Sequence, residues 1–404
     1  MVGRSTVSAL ASGGRCTHVI CMDIMPEPPD FADRAQAAKD NHGCTLQYIR
    51  ADITDESLLT DPKSALQSAL KAANVECMVH VAALVGPFFP TPAYRKVNYL
   101  GTLNVLEACR VAGIRSVVDC SSPSTRFSGD DIQGMDEDEV WTSLGGKYQG
   151  LHEYATTKAM GEGAVLAAAV KEDDADDADP RWLCTCAVAP HQVYGPSDRL
   201  FLPALMRSAR KGVLRVMGQG DNCVSFTNEA NISHGLLLAA GALCAHADWR
   251  RKRIDGGAAK CTPAEIALGR AGARVNGEFM VVTDATPEMP MGLAINFWDA
   301  IDDATSRAGL GAIRSGCKGG CRLPYYGLLL PIAYAGKLFT MLTGKFVNIT
   351  PFTVKMLVID RYFDIGKART LLGYEPLVNF YDEERGWNAA VDAALERVRK
   401  EDGW

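Results

Sequence analysis

Tyr154 and Lys158 stand four residues apart in the stretch EYATTKAMGE. On an α-helix that spacing puts both side chains on one face, within reach of each other. A free phenol titrates near pH 10 and is a poor base at neutral pH. An ammonium beside it stabilises the phenolate and brings proton abstraction into a useful range. Of the 12 tyrosines only Tyr154 has a lysine four residues on; Tyr148 has His152 there. Taken alone, the spacing also describes an idle surface pair. The context is more telling: SVVDCSS reads as a buried strand ending in Ser121 and Ser122. Parallel α/β sheets bind ligands at the carboxyl ends of their strands. A Ser122 hydroxyl there can hold a substrate oxygen while Tyr154 takes its proton.

Asp23 is the second signal. It ends the strand-like run HVICMD, 20 residues after Gly3. In dinucleotide-binding folds an acidic residue at that place bonds the adenosine ribose and disfavours a 2′-phosphate. No arginine follows in DIMPEPPD, so NAD is expected over NADP. A plain turn residue is the alternative. Asp52 and Ile53, in ADITD, end the next strand, where adenine contacts usually lie.

These residues need a scaffold, and the first 195 residues supply its pattern. Strand-like runs (THVICMDI, LQYIRADIT, ECMVHVAAL, SVVDCSS, WLCTCAVAP) alternate with helix-like ones. That alternation means βαβ units and a parallel sheet. The fold class expected is α/β, a Rossmann-type doubly wound sheet over 1–195, followed by a smaller substrate-binding part over 196–404. Two insertions interrupt it: the acidic KEDDADDADPR at 171–181 and a basic, Gly/Ala-rich stretch at 248–262. Near the end, RYFDIGKARTLLGYEP places Asp364 as a helix N-cap, with Gly373 and Pro376 as stop signals.

The 404 residues are 47% hydrophobic and 22% charged, with a net charge of −6, so nucleic acid is not an expected partner. The 13 cysteines form no framework and fit reduced thiols. CKGGC (Cys317, Cys321) reads as a Gly-rich loop, not a metal or redox motif. The most apolar stretch, 323–344, is interrupted by Pro331 and Lys337. It reads either as a core helix or as one lying in a membrane leaflet, with Lys337 reaching the headgroups.

The set DI, ADITD, VHVAAL, VNYLGTLNVLEACR, CSS, YATTK and VYGP resembles the extended short-chain dehydrogenase/reductases. Within them it resembles the 3β-hydroxysteroid dehydrogenase family, and most closely its decarboxylating branch that acts on 4α-carboxysterols. The resemblance implies that Tyr154 is the general base, Lys158 holds the nicotinamide ribose and Ser122 orients the reacting hydroxyl. It implies that Asn98 supports the helix and water chain behind the lysine. Ala82 and Ala83 would let the cofactor approach closely, and Pro190 would lie by its carboxamide. It further implies NAD-dependent oxidation of a 3β-hydroxyl, loss of CO₂ from the 3-keto product, attachment to the endoplasmic reticulum membrane through 323–344 with the catalytic part facing the cytosol, and a homodimer. Two departures stand out: Ala189 where the family usually has arginine, and Ser225 where it usually has aspartate.

The family's first turn reads roughly GGxGFxG, and here VG alone precedes the first helix, with Gly3 in the place of the third glycine. The first strand and two glycines are therefore expected to be missing, which would leave a gap in the sheet. Two other readings stay open. A nucleotide-sugar epimerase or dihydroflavonol-reductase-like enzyme would share Ser122, Tyr154 and Lys158 but would not need 323–344. A non-catalytic NAD-binding or scaffold protein would need none of the three.

Overall fold

The computed structural model describes residues 1–86, 89–139, 152–171, 181–256, 261–313, 322–323, 325–343 and 350–404, with backbone alone at 322, 323, 325, 326 and 337. Tyr148, most of the acidic insertion, residues 257–260 of the second, the CKGGC loop and the Lys337 side chain lie outside the described residues.

Helix α1 (Val2–Ser12) leads into strand β1 (His18–Asp23). Then come α2 (Phe31–His42), β2 (Thr45–Arg50), α3 (Glu56–Thr60), α4 (Ala65–Ala72) and β3 (Cys77–His80). After α5 (Thr91–Tyr94) the chain makes wide π-type turns over Arg95–Gly101 and continues as α6 (Thr102–Ala112), which ends on Gly113 in the left-handed conformation. Strand β4 (Ser116–Cys120), β5 (Ile132–Met135), α7 (Glu153–Ala167) and β6 (Cys184–Pro190) complete the N-terminal half.

The main sheet is fully parallel. Its order is strand Phe279–Val282, β6, β4, β3. Every residue of β6 is buried, as expected of a central strand covered on both faces. Alternation along β4 shows the two layers. Val117 packs with Leu106 of α6 and Val165 of α7, while Val118 packs with Ile232 and Leu236 of the long helix Glu229–Gly256. This is a Rossmann-type doubly wound α/β fold.

The sheet is divided. β1 and β2 pair in parallel with each other, and among the described residues no ladder joins β1 to β3. The gap between them is the one expected from the missing first strand.

The remainder, expected to be the smaller part, has 209 residues (404 − 195) and is mixed. Helices Phe201–Arg210, Phe297–Arg307 and Trp387–Asp402 share a core with Tyr194, Phe226 and Phe380. The division at 195/196 is one of sequence more than of space. Helix Glu229–Gly256 and strand Phe279–Val282 belong to the main layers, while β5 pairs with Arg361–Phe363 in a second sheet. Near the C-terminus a helix runs over Gly366–Leu372 and stops at Gly373, with φ +63°. Ile365 occupies the cap position expected for Asp364, and Asp364 instead holds the N–H of Gly366, the first residue of the helix.

Candidate active site

The carboxyl ends of β4 and β6 and the first turns of α7 meet at one large cavity of about 2830 Å³. Its walls include Gly3, Asp23, Asp52, Ile53, Ala82, Ala83, Ser122, Tyr154, Lys158 and Pro190. Asn98 is the one expected site residue that does not line it.

Helix α7 starts where it does because His152 caps it: the ring Nδ1 accepts the Tyr154 N–H at 3.0 Å. The same ring stacks on Phe352, with centroids 4.9 Å apart. Burial pushes the imidazole down to about 4, so it is neutral at physiological pH. The cap fixes the angle at which Tyr154 enters the cavity. The Tyr154 side chain is buried, and among the described residues no hydrogen bond engages its hydroxyl.

Lys158 lies one turn further along, 5% exposed. Its ammonium donates to the Cys120 carbonyl oxygen at 3.0 Å and faces the Asp119 carboxylate at 3.7 Å. Burial acts against this ammonium and Asp119 acts for it, and the balance moves the group upward from its ordinary value. An ammonium carries three donors. One is spent on the Cys120 carbonyl of β4, and at 3.7 Å the Asp119 carboxylate pairs by charge without a hydrogen bond, which leaves two uncommitted among the described residues.

Ser122 is extended (φ −156°, ψ 138°) and caps the short 3₁₀ turn Pro123–Arg126. Its Oγ accepts from the Ser124 hydroxyl at 2.9 Å and lies 3.3 Å from the Ser124 N–H. With its lone pairs held from behind, the Ser122 proton is free to point into the cavity. Next to it, Ser121 donates to Glu162 Oε2 at 2.7 Å, and Glu162 pairs with Arg126. The Arg126 guanidinium sits over the Phe279 ring, 3.5 Å from its centroid. This buried network ties the serine turn to α7.

Asn98 does not reach toward the lysine. Its side chain clamps the loop after β3, accepting from Leu84 N–H at 2.8 Å and donating to Leu84 O at 3.1 Å. That holds Ala82 and Ala83 at the cavity wall. Asp23 accepts the Met25 N–H at 2.9 Å and Asp52 the Thr54 N–H at 2.8 Å, so both carboxylates shape the turns at which they stand. Asn104 holds the Ile53 carbonyl at 2.9 Å. A methyl group added at Gly3 would meet nothing within 4 Å, so packing as described does not demand glycine there.

Sequence reasoning passed over several of these residues. Glu162 follows Lys158 by four, on the same helical face as Tyr154, and His152 stands where a cap belongs. Asp119 is an acidic residue in an otherwise apolar strand. Each carried a readable signal. Arg361 carried none. It is buried beside His191, with its NH1 nitrogen 3.4 Å from the ring Nε2, and among the described residues no carboxylate pairs with it. Burial pushes its guanidinium down to about 9. Ser225, in the place of the family's usual aspartate, bonds the Arg361 backbone: its N–H donates to the Arg361 carbonyl oxygen at 2.9 Å.

The family model for the 3-beta hydroxysteroid dehydrogenase/isomerase family matches residues 1–302. The 3beta-hydroxysteroid-dehydrogenase/decarboxylase isoform 1 of Arabidopsis thaliana is 30% identical over 339 residues, 82% of this chain and 64% of that protein. Isoform 2 is 28% identical, and the chain spans half of its length. The decarboxylating sterol-4-alpha-carboxylate 3-dehydrogenase of Mus musculus is 30% identical over 310 residues, 76% of this chain and 68% of that one. Among solved structures, gox2253 aligns with a TM-score of 0.61 at 18% identity, covering 98% of this chain and 96% of that one. MoeE5 in complex with UDP-glucose and NAD aligns at 0.56 and 19%, covering 99% and 95%. At such identities the structural likeness speaks for the fold alone.

Proposed function

The chain belongs to the 3-beta hydroxysteroid dehydrogenase/isomerase family, and from that premise we propose that it oxidises the 3β-hydroxyl of a sterol with NAD. The observation that carries this reading is the convergence of Ser122, Tyr154 and Lys158 on one cavity, with the Tyr154 hydroxyl unengaged among the described residues. Ser122 donates to the substrate oxygen and holds it. Tyr154 takes the hydroxyl proton, and the Lys158 ammonium stabilises the phenolate left behind. Bound NAD would supply the acceptor for the hydride leaving C3.

The cavity wall suits that cofactor. Asp23 offers a carboxylate for ribose hydroxyls at the end of β1, and Asp52 and Ile53 flank the adenine side. Ala82 and Ala83 present no bulk, Gly3 stands at the start of α1, and Pro190 closes the nicotinamide end. In this division the residues up to 195 hold the cofactor, and those beyond supply most of the substrate wall.

The substrate proposed is a 4α-carboxysterol. Its 3-ketone would be a β-keto acid, which loses CO₂ without a dedicated residue. Two things support it: the names of the relatives, and the buried Arg361, a cation behind the cavity wall at His191 that a substrate carboxylate could approach. The sterol also explains the apolar helix Leu330–Thr343. Leu338, Met341 and Leu342 on it are 56%, 73% and 77% exposed. Among the described residues no helix is long and apolar enough to cross a membrane. We propose that this helix lies on the cytosolic surface of the endoplasmic reticulum membrane, as an interfacial element. A homodimer is part of the same proposal.

The test is direct. The purified chain is incubated with a 4α-carboxysterol in detergent and NAD, and NADH and CO₂ are measured. Equimolar release of both, lost in Tyr154→Phe, is expected. Formation of neither, from a folded protein that binds NAD, would sink the reading.

A further inference from the structure

The lysine of the catalytic pair is backed by a carboxylate. Asp119 stands in β4, one residue before the carbonyl that Lys158 bonds, and is 1% exposed. Its Oδ2 atom is fully buried and finds no hydrogen-bond donor among the described residues. The nearest cation is the Lys158 ammonium at 3.7 Å. A buried carboxylate without donors is costly unless a charge compensates it.

The other candidate for this place is occupied. Asn98, expected to support the lysine, spends both ends of its amide on Leu84. His80, from β3, cannot supply a charge either. Thr102 gives its one proton to the Asn98 carbonyl at 2.9 Å, so His80 Nε2 must be the donor in their 3.1 Å contact. That leaves Nδ1 bare, and burial pushes the ring down to about 4.

We propose that Asp119 is the positioning residue of the catalytic lysine, holding its ammonium charged and aimed at the cavity from the strand beneath it. This rests on the dehydrogenase reading of the site. The charged and titratable groups around the pair are His80 from β3, Cys120 from β4, Tyr154 and Glu162 from α7, and Cys186 from β6. Among the described residues it is Asp119, and not Glu162, that reaches the ammonium as an ion pair. Removing its charge takes away the largest of the interactions that offset the burial of Lys158. The lysine then titrates lower and loses its lateral restraint.

The experiment follows Lys158 itself, without cofactor. Lysine side chains are labelled with ¹³C, the Lys158 resonance is assigned by its loss in Lys158→Arg, and its titration is read by NMR in wild type and Asp119→Asn. The expected result is a midpoint lowered by about one pH unit or more in the variant. In turnover assays the same variant should lose kcat about tenfold with little change in the KM for NAD. An unchanged lysine midpoint in a folded variant would overturn the proposal while leaving the dehydrogenase reading untouched. A wild-type chain that turns over no sterol would overturn the reading and leave the lysine titration standing. If Asp119→Asn does not fold, the wild-type titration decides. A Lys158 midpoint below that of a free lysine would show that burial prevails over Asp119, and would end the proposal.

Discussion

The ammonium of Lys158 donates to the carbonyl oxygen of Cys120 at 3.0 Å, two residues before Ser122. One charge therefore ties the helix that carries Tyr154 to the strand that delivers the serine. Lys158→Met should lower kcat by about 10³-fold, within the span typical of acid–base machinery. Lys158→Arg keeps the charge but not the compact shape, and should recover less than a tenth of the loss. Steady-state kinetics on both variants check this, and a Lys158→Arg variant near wild-type rate would contradict it.

Ser122 Oγ accepts from Ser124 and caps a turn, so it has a structural task beside its chemical one. Ser122→Ala should cost about 1 kcal/mol of stability as a lost cap. Its kcat should fall about 10²-fold, out of proportion to that loss. Paired denaturant melts and rate measurements separate the two effects. A rate loss that merely tracked stability would mean the hydroxyl does not touch the substrate.

Glu162 and Arg126 form a buried ion pair that also anchors Ser121. Breaking one side leaves an uncompensated buried charge, and Arg126→Met should cost roughly 3–5 kcal/mol. The double variant Arg126→Met/Glu162→Leu should be markedly less destabilised than the single one. Equilibrium unfolding in urea gives both values, and a double variant at the sum of the singles would refute the pairing.

His80 is buried and held down to about 4, against 6.5 for an unfolded histidine. Between those values the unfolded chain binds the proton and the native one does not, so stability rises with pH. The contribution is complete above about pH 6.5 and is lost as pH falls toward 4. It amounts to roughly 3 kcal/mol at most, from 2.5 pH units at 1.36 kcal/mol each. His152, also near 4, slopes the same way. Melting temperature measured across this window should fall on acidification, and His80→Gln should flatten the curve.

Replacing Leu338, Met341 and Leu342 by serine removes exposed apolar surface and no core contact. Wild type should float with phospholipid vesicles and the triple variant should not, while turnover of detergent-dispersed substrate stays within twofold. Equal flotation of both would show that this helix face does not meet the lipid.

The parts of the fold legible in the sequence were those set by local pattern. The strand end at Asp23, the helix carrying Tyr154 and Lys158, and the glycine stop at 373 follow from periodicity and turn chemistry, while β4 stops at Cys120, short of the two serines expected to end it. The site was legible wherever one element carried it. Asn98 was misplaced because its partner, Leu84, lies on another element, and nothing local says which way an amide will turn. Arg361 was invisible for a related reason: what distinguishes it is its burial beside His191, 170 positions away in the chain. The interleaving of the two halves was likewise beyond reach, since strand Phe279–Val282 looks the same whichever sheet it joins.

The divided sheet has a consequence for how the molecule opens. A two-stranded pair is marginal on its own, whereas the four-stranded layer has its central strands buried on both faces. Amide protons of Ile20 and Cys21 should therefore exchange with solvent orders of magnitude faster than those of Val118 and Cys186, as separate cooperative units. The half of the groove that would receive adenosine then loosens while the half bearing Ser122 and Tyr154 stays closed. Cofactor affinity in this chain should then respond to a local unfolding equilibrium set apart from the residues that do the chemistry.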